Sequence, residues 1–432
     1  RILTNYRFSV LIGPAGSGKT TLLKIFENIP EIRKGGVLKL APTGKARVKL
    51  GHDAFTIAQF LYPERYDSYY GIYRLKPDSL KASTAKTVII DESSMLTEEQ
   101  LAAVFDALGP VDRIILVGDY RQLPPIGTGR PFVDIVDLLK PKSFPEAPIK
   151  VGPAYAELCQ ISRQSNDSSE PRLDVQLSKC FGDEVAKEDI ELFYELSSKS
   201  IKNKHIRLEK WYDSKDFKEL FQRVIEEELG IKGDDVVKAF NRTLGAVDVG
   251  DFQYFNCGYT EKQIENWQII SPVNGFGFGV KEVNKLIQTT YRKNFIDLAH
   301  QRGKKKIAKP KGSDNMVYGD KVINLQNARW EYWQKIKPKE SKDKALNYIA
   351  NGEIGVLTGY FRGKNDSSPG EPNIEITFST QPGYSYEFYP KQFGEDSVKS
   401  YRFELAYAIT VHKAQGSGFK KVFFVLPSKG AI

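Results

Sequence analysis

FSVLIGPAGSGKTT, from Phe8 to Thr21, decides the fold. A run of β-formers (Phe8, Val10, Leu11, Ile12) meets Gly13-Pro14-Ala15-Gly16-Ser17-Gly18-Lys19-Thr20, which fits G-x-x-x-x-G-K-[ST]. Leu22, Leu23, Phe26 and Ile29 then recur at helical spacing. The order is strand, phosphate-cradling loop, helix. Glycines let successive backbone N–H groups turn inward on phosphate oxygens, and the helix N-terminus adds positive potential there. Gly13 through Thr21 are therefore expected to bind a nucleoside triphosphate. Lys19 reaches its β- and γ-phosphates and Thr20 holds Mg²⁺.

Strand and helix patterns alternate onward from this loop, as a doubly wound α/β sheet requires. Gly36–Ala41, Thr87–Ile90 and Arg113–Val117 read as strands. Each runs into a polar cluster: Pro42-Thr43-Gly44-Lys45, Asp91-Glu92 and Gly118-Asp119. Ligands of open parallel sheets sit beyond the carboxyl ends of the strands. An acid at a strand end can hold Mg²⁺ through water, and its neighbour can polarise the attacking water. Asp91 is assigned to the metal and Glu92 to the base. Gln122, just past the third strand, has an amide able to bond both water and the γ-phosphate.

Between the first and second of these strands, His52–Lys86 carries five tyrosines around Tyr69-Tyr70-Gly71-Ile72-Tyr73. It reads as an inserted β-hairpin. Beyond Val151 the pattern changes. Phe217, Leu220, Phe221, Val224, Ile225 and Leu229 share one helical face, Trp267–Ser271 is a buried strand, and a helix is expected from Val280 to about Thr290. Residues 301–312 form a basic linker. Short strand patterns follow at Lys321–Leu325, Gly355–Thr358, Ile374–Phe378 and Tyr384–Tyr389, the profile of a small all-β barrel. Residues 337–344 are a solvated charge run, and Ser367–Gly370 is a loop. The α/β pattern resumes at Glu404–Val411.

At 432 residues the chain is long enough for about two to four domains. No apolar run approaches the length of a membrane span, so no membrane partner is expected. Cys159, Cys180 and Cys257 lie far apart, which argues against zinc or a disulfide framework and suits a reducing cytoplasm. Lysine and arginine number 63 against 54 acids, a net charge of +9. Combined with a nucleotide site and 12% aromatic residues, that balance points to a polyanionic partner.

GPAGSGKTT, LAPTGKAR, VIIDESSML and ILVGDYRQLPPIGTG resemble motifs I, Ia, II and III of the superfamily 1 helicases. They are most similar to those of the RecD/Dda branch, whose members move 5′ to 3′ on single-stranded DNA. Ile161-Ser162-Arg163-Gln164 resembles motif IV, which implies that Arg163 reaches the γ-phosphate. Ile270–Gly275 with Gly279–Leu286, Asn351–Val356 and Leu405–Gly418 resemble later family segments. The resemblance implies two RecA-like parallel-sheet motor domains with a β-hairpin insert and an SH3-like β-barrel insert. The expected boundaries are 1–150 for the first motor with its 52–86 pin, 151–312 and 403–432 for the second, and 313–402 for the barrel.

It further implies an ATP-dependent DNA helicase or translocase in which hydrolysis in the interdomain cleft drives strand separation. ATP and Mg²⁺ are its cofactors. Its partners are single-stranded DNA, junctions of single- and double-stranded DNA, and proteins of a larger DNA-processing complex. Pro42, Thr43, Lys45, Thr56, Asn274, Thr410, His412, Lys413 and Gln415 are expected along the DNA, mostly as phosphate contacts, which position a strand without reading sequence. Phe55 or Tyr73 can stack on bases. Two family features are missing from the 432 residues: the adenine-reading glutamine motif before Arg1 and motif VI after Val422–Leu426. Residues beyond both ends are expected to supply them. Two other readings stay open, an RNA helicase of the same superfamily and a non-unwinding regulatory subunit that binds nucleic acid.

Overall fold

The computed structural model describes residues 2–67, 70–77, 85–144, 149–159, 173–180, 187–198, 201–202, 204–233, 235–256, 258–275, 278–300, 309–330, 332–334, 347–361, 373–393 and 402–426. Arg163 and its motif, Tyr69, Cys257, residues 301–308 of the basic linker, the 337–344 charge run and the 367–370 loop lie outside the described residues. The chain divides into two compact units. One comprises Arg1–Pro42, Asp53–Ile57 and Tyr73–Phe217; the other comprises Thr43–His52, Ala58–Ile72 and Lys218–Ile432.

The first unit is built on a seven-stranded sheet. Its order is Phe55–Thr56, Val37–Ala41, Thr87–Ile90, Arg113–Gly118, Phe8–Ile12, Tyr155–Leu158 and Ile149–Gly152. Six strands are parallel, and Ile149–Gly152 closes one edge antiparallel to Tyr155–Leu158. Val10, Leu11, Ile12, Leu40, Val88, Ile89, Ile90, Ile115, Leu116 and Val117 are all buried. Such near-continuous apolar runs are what a parallel sheet covered on both faces demands, and burying each large side chain contributes roughly 1.5–3 kcal/mol. Helices Lys19–Glu27 and Glu98–Ala107 bury Leu23 and Phe26, and Leu101 and Val104. The second starts at a capping box: Thr97 accepts from the Gln100 amide, and the Gln100 side chain accepts from the Thr97 amide.

Residues 52–86 divide more finely than the sequence suggests. Phe55–Thr56 joins the main sheet and Ile57–Leu61 is helical. Tyr66–Asp67 and Ile72–Tyr73 form a short two-stranded ribbon. Gly71 turns it at φ 68°, a conformation that favours glycine, and its amide donates to the Asp67 carbonyl at 2.8 Å. Tyr70 and Ile72 are exposed.

The second unit holds a three-stranded parallel sheet with Trp267–Ser271 between Ala408–Thr410 and Lys421–Phe424. Helix Val280–Ile287 is tied to it by Asn284, whose side chain donates to the Leu405 and Ala408 carbonyls and accepts from the Ala408 amide. A six-stranded antiparallel sheet runs Tyr332–Gln334, Tyr384–Phe388, Asn373–Phe378, Ile354–Phe361, Lys321–Asn324 and Phe403–Leu405. Its core is Val322, Ile354, Val356, Ile374, Ile376, Phe378, Tyr386 and Phe388. Among the described residues no helix is long and apolar enough to cross a membrane.

Candidate nucleotide and nucleic-acid sites

The phosphate loop leaves Phe8–Ile12 and enters helix Lys19–Glu27 directly. Gly16 and Gly18 adopt φ 83° and 94°, which side chains rarely tolerate. A Cβ on Gly13 would lie 2.7 Å from the Leu158 carbonyl oxygen, so the loop passes too close to its neighbour for any larger residue. Lys19 opens the helix, with Thr20 and Thr21 beside it. Its ammonium donates to the carbonyls of Gly13 at 2.5 Å and Pro14 at 3.1 Å. A glycine cradle, a lysine held at the loop and the start of a nine-residue helix together fit a polyphosphate.

Asp91 ends the fully buried strand Thr87–Ile90 and is itself buried. Its Oδ1 accepts from the Glu92 amide at 2.9 Å, and its own amide donates to the Leu40 carbonyl at 2.9 Å. Glu92 has φ 52° and ψ 39°. For a residue with a side chain this left-handed conformation costs on the order of 1 kcal/mol, and such strain clusters at functional sites. The turn is held by the Ser93 hydroxyl donating to the Ile90 carbonyl at 2.7 Å.

At the end of the next strand, Asp119 is buried, and burial pushes its carboxyl above the usual range. The Arg121 amide, the charges of Lys19 and Arg121, and a hydrogen bond from the Gln122 side chain oppose that rise. Asp119 thus feels the charge of Lys19 in the phosphate loop and accepts from the Gln122 side chain. Lys19, Asp91, Glu92, Asp119 and Gln122 all lie at or just beyond the carboxyl ends of three consecutive parallel strands. In the sequence Asp119 stands out only as part of a strand-end cluster, and Glu157 does not stand out at all. The available signal was a carboxylate inside the buried run Tyr155–Leu158.

The expected DNA contacts divide. In the second unit, Thr43 caps helix Gly44–Leu50 by accepting from the Ala46 amide at 3.2 Å, and Thr410 caps Val411–Ala414 by accepting from Lys413. The two segments lie together: a Cβ on Gly416 would sit 3.4 Å from the Thr43 hydroxyl. His412 is exposed, Gln415 is half-buried, and Lys413 is ion-paired with Glu404 at 2.7 Å. Asn274 is exposed, three residues past Ser271, which pairs with Thr410. Lys45 is buried instead, ion-paired with Glu265 at 2.9 Å and 4.7 Å from the Phe419 ring centre. Gly44 explains that depth, because a Cβ there would meet Ala350 and Glu353 at 2.7 Å. In the first unit Pro42 ends Val37–Ala41, and Thr56 is fully buried.

A model of the AAA domain family matches residues 1–179. The uncharacterized protein MJ1519 of Methanocaldococcus jannaschii is 28% identical across 98% of this chain and 35% of its own length. The ATP-dependent RecD2 DNA helicase of Deinococcus radiodurans is 33% identical across 30% of this chain and 18% of its own. The RecBCD enzyme subunit RecD of Buchnera aphidicola subsp. Schizaphis graminum is 23% identical across 97% and 65%. The chain spans less than two thirds of the length of each of these relatives. The chain is thus similar to RecD proteins nearly from end to end, and the stretch that matches the AAA domain family carries the phosphate loop, Asp91-Glu92 and Asp119–Gln122 on adjacent strand ends.

Proposed function

We propose that the chain is an ATP-driven motor that moves 5′ to 3′ on single-stranded DNA and separates strands at junctions with duplex. One observation carries this reading: the phosphate loop, Asp91-Glu92 and Asp119–Gln122 stand at neighbouring strand ends. Amides of residues 13–18 and the Lys19 ammonium bind and orient the phosphates. Thr20 and Asp91 have the oxygen donors that suit Mg²⁺. When bound with ATP, that ion neutralises charge on the phosphates. Glu92 takes the proton of the attacking water and Gln122 orients it. Arg163 adds a positive charge at the γ-phosphate.

Thr43, Asn274, Thr410, His412 and Gln415 hold the DNA backbone, and changed contacts at Thr43 and Thr410 turn hydrolysis into movement. Lys45 joins them by exchanging Glu265 for a phosphate. The ribbon at Tyr66–Tyr73 serves as the wedge at the junction, and the antiparallel sheet around Ile354–Phe361 takes the place of the SH3-like insert. The Buchnera relative is a subunit of the RecBCD enzyme, and we extend to this chain a protein partner in DNA processing. Exposed Cys159, a free thiol, suits a reducing cytoplasm.

Strand displacement tests the reading. A duplex with a 5′ single-stranded tail should be unwound with ATP while its 3′-tailed counterpart persists, and DNA should stimulate hydrolysis more than RNA. Equal action on both tails, or preferential stimulation by RNA, contradicts it.

A further inference from the structure

Strand Tyr155–Leu158 reads Tyr-Ala-Glu-Leu, and Glu157 is 1% exposed. An ionised carboxylate taken out of water needs strong partners to be tolerated. Glu157 has two. The Tyr155 hydroxyl donates to Oε2 at 2.8 Å, and Arg121 Nη2 donates to Oε1 at 2.7 Å. Burial first, and the adjacent carboxylate second, push the Tyr155 phenol far above its usual range, so it remains a donor. Arg121 also receives support from its own side: its guanidinium lies 3.1 Å from the Tyr120 hydroxyl and over that ring, and its amide donates to Asp119 Oδ1 at 3.2 Å.

The register shows what this pair spans. Ile12 is matched with Gly118 on one side and with Glu157 on the other. Arg121 follows the Arg113–Gly118 strand and therefore reaches across the carboxyl end of Phe8–Ile12 to a carboxylate on the far neighbour. Gly13, the first residue of the phosphate loop, is hemmed in by both flanks. Its amide donates to the Gly118 carbonyl at 3.3 Å, and its Cα faces the Leu158 carbonyl at a distance that leaves no room for a Cβ.

We propose that Arg121 and Glu157 form a clasp over the root of the phosphate loop, a positioning pair that holds Asp119 and Gln122 in place relative to Lys19. This deepens the ATP-hydrolysing reading of the same site and rests on it. Neither residue need touch the nucleotide. The clasp acts through Asp119, which Arg121 and Gln122 both address, and it fixes where the Gln122 amide stands when water is aligned. Small misplacements of such a group cost rate more than binding.

Glu157→Gln keeps shape and an acceptor for Tyr155, but it sets an amide donor against the guanidinium. Arg121→Gln breaks the pair from its solvent-facing end, where the side chain is 35% exposed and the fold has little to lose. Each substitution should lower kcat for DNA-stimulated ATP hydrolysis roughly tenfold while KM for ATP stays within about twofold. The double variant should be no slower than the slower single one, as members of one unit behave. Amide hydrogen exchange of residues 119–123 should accelerate about tenfold in both single variants, with the thermal midpoint of Arg121→Gln little changed. Multiplicative losses in the double variant, a kcat within about twofold of the unaltered chain, or unchanged exchange at 119–123 would each overturn the clasp. Should Glu157→Gln fail to fold, Arg121→Gln and Arg121→Lys decide the matter by the same kcat and exchange readouts. If the unaltered chain hydrolyses no ATP, the functional reading fails, and hydrogen exchange still decides the clasp.

Discussion

Lys49 donates from its ammonium group to the backbone carbonyl of Gly416 at 2.6 Å, joining segments 367 positions apart in the chain. Each segment opens with a threonine that caps a helix, Thr43 in one and Thr410 in the other. Two hydroxyls and two helix starts are thereby carried on one compact unit. Such groups suit a phosphate backbone and leave the bases unread.

That arrangement predicts how DNA binding responds to salt and to substitution. The logarithm of the binding constant for single-stranded DNA should fall linearly with the logarithm of salt, with slope about −0.7 per phosphate contact. Thr43→Ala and Thr410→Ala should each weaken binding about two- to tenfold, the loss of one hydrogen bond. Fluorescence anisotropy over a salt series checks both. A roughly tenfold preference for one sequence over its scrambled version at fixed salt would contradict a backbone track.

Glu92→Gln should leave ATP bound and uncleaved. The residue follows Asp91 in a strained left-handed turn, and its carboxylate is the assigned base. Steady-state hydrolysis should drop on the order of 10²–10³, with nucleotide affinity retained by equilibrium binding. Full DNA-stimulated hydrolysis by the variant would remove Glu92 from the mechanism.

Lys321 gives a stability prediction with a defined sign. Its side chain is fully buried, donates to the Trp267 carbonyl at 2.8 Å and lies over the Trp267 ring. Burial first, and the Lys45 charge next, lower its pKa well below the ordinary lysine value of 10.5. The unfolded chain therefore binds this proton more readily than the folded one. Stability should rise with pH across the window between the lowered value and 10.5. Lys321→Met keeps the side-chain length and removes the charge, so it should raise the urea midpoint at pH 7 and flatten the rise toward pH 9.5. A midpoint that falls at pH 7 would show that the ammonium is a net stabiliser of the Trp267 carbonyl.

Much of this architecture can be read from the chain itself. Phe8–Ile12, Thr87–Ile90 and Trp267–Ser271 form strands at the residues their apolar runs mark, because buried strands carry little else. The strand-end placement of the Gly-rich loop, Asp91-Glu92 and Asp119 is equally readable, since polar residues directly after apolar runs fall there. Depth is harder. Lys45 and Thr56 look like surface contacts, yet Lys45 is covered because Gly44 lets its helix approach Ala350 and Glu353 closely. Thr56 sits in an added edge strand only two residues long, which no periodicity can announce. Arg121 and Glu157 are 36 positions apart. Their pairing depends on which strands flank Phe8–Ile12, a matter of topology that local patterns do not carry.

The ribbon at Tyr66–Tyr73 should matter for unwinding and little for ATP turnover. Tyr70 is 68% exposed at its turn, and an aromatic there can replace lost base stacking, worth about 1–3 kcal/mol per base. Replacing residues 67–75 with a short Gly-Ser turn should abolish displacement of a 5′-tailed duplex and spare DNA-stimulated hydrolysis. Loss of both activities would assign the ribbon to folding, and retention of both would place the wedge elsewhere.

Whether the phosphate loop powers a motor on DNA is decided by steady-state ATP hydrolysis with and without single-stranded DNA. Hydrolysis should be slow alone, strongly stimulated by single-stranded DNA of any sequence, and lost in both conditions in Lys19→Ala, whose missing ammonium no longer meets the β- and γ-phosphates. Hydrolysis indifferent to DNA, or undiminished in Lys19→Ala, would contradict that role.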